Sequence, residues 1–305
     1  MNTWQRFKNS YLFYNFKQDS IAIASFCVLA ALVVISILAP VVVPHDTYDT
    51  ATIDILDAET PPAWMENGSE KFLLGTDIQG RDLLSTMIFG LRVSLIIGVG
   101  AVLFQSLLGI LVGLLAGYFG GKLDAFLMRI ADIQFSIPYL IVAIFTSAIF
   151  KLAFGVGRWE ELAVPLLIII IGMSEWPKYA RTVRASVLGE KNKEYVEAAR
   201  VIGLSGWRII LRHILPNTMT PVLVLSTIQV ANAVMSEAAL SFLGLGMPIT
   251  KPSLGSLIRS GFEYIFSGSW WITFFPGILL VIFLLVVLLL GDWLRDVLNP
   301  KLYKG

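Results

Sequence analysis

Six runs of apolar residues, each about 20 residues long or slightly more, divide the chain at 20–43, 93–118, 130–150, 161–181, 219–244 and 272–293. A run of that length is matched to the hydrocarbon thickness of a bilayer. Inside a bilayer no water satisfies the backbone, so each run is expected to be a helix. The pattern predicts an all-α integral membrane protein with six transmembrane helices. Composition agrees: 15% of the 305 residues are charged and mean hydropathy is +0.75, against roughly 25% charged residues in soluble domains. The first run follows Arg6, Lys8 and Lys17 as a signal peptide would. It is too long for a signal h-region, and it leaves through "ILAPVVVP" with no small-x-small cleavage site. It reads as an uncleaved first span. The fourth run is short in its core, "LAVPLLIIIIGM", and its helix must extend into "SEWPKYA".

Lys and Arg concentrate on cytoplasmic segments. Most of the 23 here fall in 1–19, 119–129, 178–218 and 294–305, which puts both termini inside. The expected organisation is a cytoplasmic N-terminal segment 1–19, a first helix 20–43, an extracytoplasmic loop 44–92, a five-helix core 93–293 with a cytoplasmic loop 182–218, and a cytoplasmic tail 294–305. Loop 44–92 is acidic and too small for a catalytic domain, so it reads as an ordered cap. Within "GTDIQGRD" (75–82), Thr76 and Gln79 fit a capping box. Leu83, Leu84, Met87 and Ile88 follow as one apolar face, predicting an interfacial helix that leads into span two.

Gly109, Gly113, Gly117 and Gly121 recur every four residues along span two. Such a stripe lets another helix backbone approach closely in lipid, from this chain or another. Chemistry of other kinds is missing. The two histidines, His45 and His213, fall on opposite sides of the membrane, and the lone Cys27 reads as a small buried hydrophobe. No metal-ligand or nucleophile spacing occurs. "AGYFGGKL" (116–123) fails two positions of a phosphate-binding loop, and no basic block suits nucleic acid. No catalytic residue, metal site or cofactor is expected in this chain. Span five carries Gln229, Asn232 and Glu237, candidates for a path through the membrane. Glu237 reads as the one acid in a span core, near the outer interface, where bonding a neighbouring helix is an equally good role.

The polar stretch "EYVEAARVIGLSGWRIILRHILPN" (194–217) interrupts this apolar chain. Asn192 can cap a short helix with Glu194 in its first turn. Val196, Ala199 and Ile202 fall on one side. Gly203 sits where a helix ends in the left-handed conformation. Ser205 can cap a second helix, which Pro216 ends or kinks. The first helix is too short to be stable alone, so something docks on it: a soluble partner, or lipid headgroups. Against lipid stand Glu194, Glu197 and the want of large anchors beyond Tyr195.

The stretch resembles the signature loop of ABC importer permeases, with Glu197-Ala198-Ala199, Gly203 and Leu215-Pro216 at the signature's spacings and His213 where the signature has Ile. "PPAW…LLGTDIQGRDLLS" (61–85), "GLLAGYFGG" (113–121), "EAALSFLGLG" (237–246) and "WWITFFPG…LLGDWLRDVLNPKL" (270–302) are similar to the C-type permeases of the dipeptide, oligopeptide and nickel importers. Leu254-Gly255 departs from the family's frequent Trp-Gly in the second outer loop. The resemblance implies a type I importer permease in the bacterial inner membrane. It implies a second related permease, two cytoplasmic ATPases that hold ATP and magnesium, and an extracytoplasmic substrate-binding protein. Tyr195, Val196, Glu197, Ala198, Ala199, Arg200, Gly203 and Leu204 would form the coupling helix and its turn. The implied cargo is a peptide, dipeptides first, with nickel or another small solute as alternatives. A secondary transporter or channel would instead need inverted repeats with broken helices, and the chain shows no internal repeat.

Overall fold

A computed structural model describes residues 11–45, 47 and 53–298. The described elements are helical; the one β-type pairing among them is an isolated bridge between Thr76 and Asp82. In chain order the α-helices are α1 (Tyr11–Gln18), α2 (Ser20–Ile37), α3 (Ala39–Val42), α4 (Leu83–Phe119), α5 (Gly121–Ser136), α6 (Tyr139–Glu190), α7 (Glu194–Val201), α8 (Gly206–Ile209), α9 (Leu215–Phe242), α10 (Leu254–Phe262) and α11 (Trp271–Leu298). Five continuous helical segments are long and apolar enough to cross a membrane: α2, α4, α6, Gly206–Phe242 and α11.

The difference from six expected spans lies in α6. Its 52 residues would extend about 78 Å if straight, more than twice a hydrocarbon core. Gly155, with φ 80° and ψ 163°, breaks it into an outer arm ending near Phe154 and an inner arm running to Glu190. The residues expected to be a loop, 151–160, are therefore helical on both sides of one glycine. The third run is itself split, because Pro138 holds Ile137 extended (φ −104°, ψ 121°) and ends α5.

Helix α4 starts ten residues before the apolar run does and continues for 37 residues, so residues 83–92 belong to the span helix itself and not to a separate interfacial helix. Its cap is not the Thr76/Gln79 box. Asp82 caps it, accepting from Ser85 N at 2.9 Å. Thr76 instead donates to the Asp57 carbonyl and accepts from Thr60 N, tying the outer loop together. Leu83 and Met87 are buried as the pattern required.

The glycine stripe finds its partner in the same chain. A Cβ on Gly113 would stand 2.6 Å from the Ala180 carbonyl oxygen, and one on Gly117 2.7 Å from Val187 Cβ. Gly109 is equally tight against Tyr179. These contacts bring α4 onto the inner arm of α6 as a small-residue seam. Gly121 does not belong to the seam: its φ is +59°, nothing lies within 4 Å, and with Gly120 (φ +67°) it turns the chain from α4 into α5. Cys27 is exposed on α2, not buried as expected.

Two apolar clusters stack along the bundle. The outer one holds Ile97, Trp159, Leu167 and Leu240. The inner one holds Tyr179, Val183, Val187, Ile210 and Ile214, and it extends to Val196 and Ala199 of α7. The outer cap is fastened by the buried Asp77–Arg81 pair, at 2.6 Å, and by Arg81 Nη1 donating to the Ile249 carbonyl at 3.0 Å.

Candidate functional site

The charged stretch folds as helix, left-handed glycine, helix. Helix α7 begins at Lys193, not Asn192; Lys193 provides its backbone carbonyl to Val196 N and Glu197 N and no side-chain cap. Its end is a complete Schellman motif. Gly203 N donates to Arg200 O at 2.9 Å and Leu204 N to Ala199 O at 3.1 Å, with Gly203 at φ +84°. Ala199 and Leu204, the residues such a motif brings together, both pack into the inner cluster.

The two faces of α7 are unequal. Val196 and Ala199 are buried against the spans, whereas Glu197, Ala198 and Arg200 are exposed. Ile202 does not join Val196 and Ala199: it is 78% exposed, and Val201 is 89% exposed. The Gly203 turn begins there and swings both side chains outward. Tyr195 stands at the edge, its hydroxyl donating to Glu190 Oε2 at 2.5 Å and accepting from Asn217 Nδ2 at 3.2 Å. Desolvation, reinforced by the Glu190 carboxylate, pushes the Tyr195 hydroxyl up to about 12, so it remains a donor.

Behind α7 the chain is stiff on one side and irregular on the other. Three residues, Lys191 to Lys193, join it to α6, and Lys191 Nζ reaches the Gly117 carbonyl at 3.0 Å. Arg184 grips Asp124 of α5 with two bonds of 2.5 and 2.6 Å, and Arg181 reaches Asp132 at 2.6 Å. After α7, Ser205 leads into α8 through its backbone carbonyl with no side-chain cap bond. Pro216 does not end the second helix. One π turn, Ile210–Ile214, absorbs the missing amide, and Pro216 falls in the first turn of α9.

A second polar assembly lies at membrane depth. Gln229 sits at the midpoint of α9, roughly 20 Å from either end. Its Nε2 donates to Glu175 Oε2 at 3.1 Å and more weakly to Gln105 Oε1 at 3.4 Å, and its Oε1 accepts from Asn232 at 2.8 Å. Lys178 pairs with the same Glu175 oxygen. Gln105 Nε2 is buried and has no partner among the described residues. Gln229 and Gln105 are sealed, while Asn232 is exposed and Glu175 and Lys178 are partly so. A charged pair on that surface cannot stably face hydrocarbon, so this flank of α6 and α9 faces water or protein. Glu175 is the residue that sequence reasoning missed, since Glu237 was taken as the one acid in a span core. The signal was the short fourth run, which forms a full span only if its helix passes through Glu175.

Glu237 behaves differently. It is completely buried, with Ser94 donating to Oε2 at 2.8 Å and Ser241 to Oε1 at 2.6 Å. Ser241 Oγ also accepts from Met247 N. The carboxyl links α4, α9 and the following turn, and it is closed off from any passage on this chain's surface. Leu254, at the start of α10, is also fully buried, packed with Leu91, Val234 and Phe283.

Residues 109–304 match the family described as binding-protein-dependent transport system inner membrane component, and residues 2–62 match the N-terminal TM domain of oligopeptide transport permease C. The chain belongs to this family of ABC transporter permeases: it is a multi-pass, non-catalytic transport subunit of the bacterial inner membrane. It is 37% identical to the di/tripeptide transport system permease protein DppC of Pseudomonas aeruginosa, over 94% of this chain and 90% of that one. It is 36% identical to the dipeptide transport system permease protein DppC of Escherichia coli, over 94% and 91%. Against the oligopeptide transport system permease protein OppC of Bacillus subtilis it is 34% identical, over 95% and 88%. Among solved structures, a permease chain of the inward-facing MetNI methionine ABC transporter matches with a TM-score of 0.55 at 22% identity, covering 70% of this chain and 97% of that one. The match fixes the fold as that of a type I importer permease.

Proposed function

We propose that this chain is one of two related permease subunits of an ATP-driven importer of peptides, dipeptides first. The observation that carries the reading is similarity to di- and oligopeptide permeases over more than nine-tenths of the chain. Two cytoplasmic ATPases, which hold the ATP and magnesium, dock on the exposed face of α7. An extracytoplasmic binding protein delivers cargo to the outer mouth. The division of α7 into a buried side and an exposed side supports the docking role. Glu197, Ala198, Arg200, Val201 and Ile202 meet the partner, while Val196, Ala199 and Leu204 hold the helix to the spans. The polar flank of Glu175, Lys178, Gln229 and Asn232 lines the path. A peptide zwitterion needs a carboxylate and an ammonium along its way, and Glu175 and Lys178 supply one of each.

The test is uptake of a labelled dipeptide by cells with and without this chain, with nickel and longer peptides as competitors. Loss of dipeptide uptake on deletion is the expected result; intact peptide uptake with impaired nickel uptake sinks the peptide assignment. Gly203→Asp examines the coupling role. At φ +84° a side chain costs about 1–2 kcal/mol, yet nothing lies within 4 Å to clash. The variant should reach the membrane at normal level and lose transport; normal uptake would refute the coupling role of this turn.

A further inference from the structure

Helices α1, α2 and α11 border two grooves that share a wall. The upper, about 350 Å³, runs between α2, α4, α9 and α11 and is lined by Leu29, Val33, Val230, Phe283 and Val287. The lower, about 430 Å³, lies where α2 begins and α11 ends and is lined by Asn15, Gln18, Asp19, Ser20 and Asp296. Trp293 borders both. Its ring is held edge-on by Phe16, with centroids 5.3 Å apart. Its indole Nε1 is buried and has no hydrogen-bond partner among the described residues.

The order along this pair of grooves is hydrocarbon, the Trp293 N–H at the junction, then a polar stretch that carries two carboxylates among Asn15, Gln18 and Ser20. Both carboxylates have acceptor capacity left. Asp19 spends Oδ1 on the amides of Ile21 and Ala22, and Asp296 is ion-paired with Arg295 Nε at 3.9 Å, a separation too long for a hydrogen bond. A buried N–H at the junction calls for an acceptor, and a tryptophan there is at the depth of the headgroups. We propose that the paired groove binds one phospholipid with a primary-amine headgroup. An acyl chain lies along Leu29, Val33 and Phe283, the phosphate accepts from Trp293 Nε1, and the ammonium donates to Asp19 and Asp296. The charges select among headgroups. Phosphatidylglycerol brings an anion and no cation to two carboxylates, and the quaternary ammonium of phosphatidylcholine has no N–H to donate. The site is independent of the cargo assignment.

The experiment uses the full chain in its detergent-extracted complex, exchanged into mixed micelles of equal phosphatidylethanolamine, phosphatidylcholine and phosphatidylglycerol. Native mass spectrometry then reads the lipid retained per chain. Phosphatidylethanolamine should be retained about tenfold over the other two, the factor for one charge-assisted hydrogen bond. Asp19→Asn with Asp296→Asn should bring the three lipids to parity; asparagine still caps α2, so the helix start is kept. Trp293→Phe should lower retention of all three while keeping the order. Equal retention by the unaltered chain overturns the proposal, as does an undiminished preference in the double variant.

Discussion

Glu237 and Glu175 are the same side chain in the same membrane, placed to opposite ends. Glu237 is bonded from two helices by its own chain, with both oxygens taken by serine hydroxyls. Glu175 is partly open and pairs with Lys178 three residues away and with an amide from α9. The first joins helices that must stay together. The second stands on a flank that its own chain leaves partly open. A carboxyl at membrane depth is thus not one kind of signal: one is satisfied completely by its own chain, and the other is left partly open, as the proposed path requires.

The comparison breaks if the two acids respond alike. The largest effect is expected from Glu237→Ala. It leaves the Ser94 and Ser241 hydroxyl protons without their acceptor and opens a cavity, a loss of about 3 kcal/mol. The purified chain should melt earlier and accumulate poorly; an unchanged melting temperature would make Glu237 dispensable as a link. Glu175→Gln should do the reverse. Melting should change by no more than about 0.5 kcal/mol, while peptide uptake falls about tenfold, the worth of one charge-assisted contact. Uptake at the normal rate would remove Glu175 from the path. A third carboxylate sharpens the contrast outside the membrane. The bonds from Arg184 hold the Asp124 carboxyl below its usual 3.8. A lowered folded-state value adds stability at pH above the ordinary value, which is lost as pH falls through the lowered one. Thermal unfolding of the unaltered chain should therefore weaken below about pH 4, and Asp124→Asn should flatten that acid limb. This is the smallest effect, since the pair is partly exposed.

Much of this was legible before any coordinates. The apolar runs fixed the helices, and the glycine spacing announced a tight seam, because both depend on local pattern. What the pattern lacked was a partner. Gly109, Gly113 and Gly117 did not reveal that they meet Tyr179, Ala180 and Val187, and Gly121 shared their spacing while serving a turn. Caps were misread where two candidates stood close together. Thr76 bonds across the loop to Asp57 and leaves the helix to Asp82, and Asn192 yields to the backbone of Lys193. Glu175 lay inside the expected fourth span but beyond its apolar core, and its bonds to Lys178 and to Gln229 of α9 follow only from the packing. Ile202 was placed inward by strict periodicity; the left-handed turn that follows it carries it outward.

The seam between α4 and α6 also decides what a displacement of α7 can do. Only three residues separate α7 from the inner arm of α6, and Lys191 bonds across to Gly117 on α4. With glycines on the α4 side of the seam, against Tyr179, Val183 and Val187 of α6, the two helices form a plank. Beside it, the π turn at Ile210–Ile214 gives the strand of chain leading to Gln229 a softer joint. If α7 is the docking point proposed above, a push there would pass along α6 toward Glu175 and Lys178 with little give, and along α9 toward Gln229 and Asn232 with slack. On the proposed path, Glu175 and Asn232 would then shift past each other by shear between a rigid rail and a yielding one.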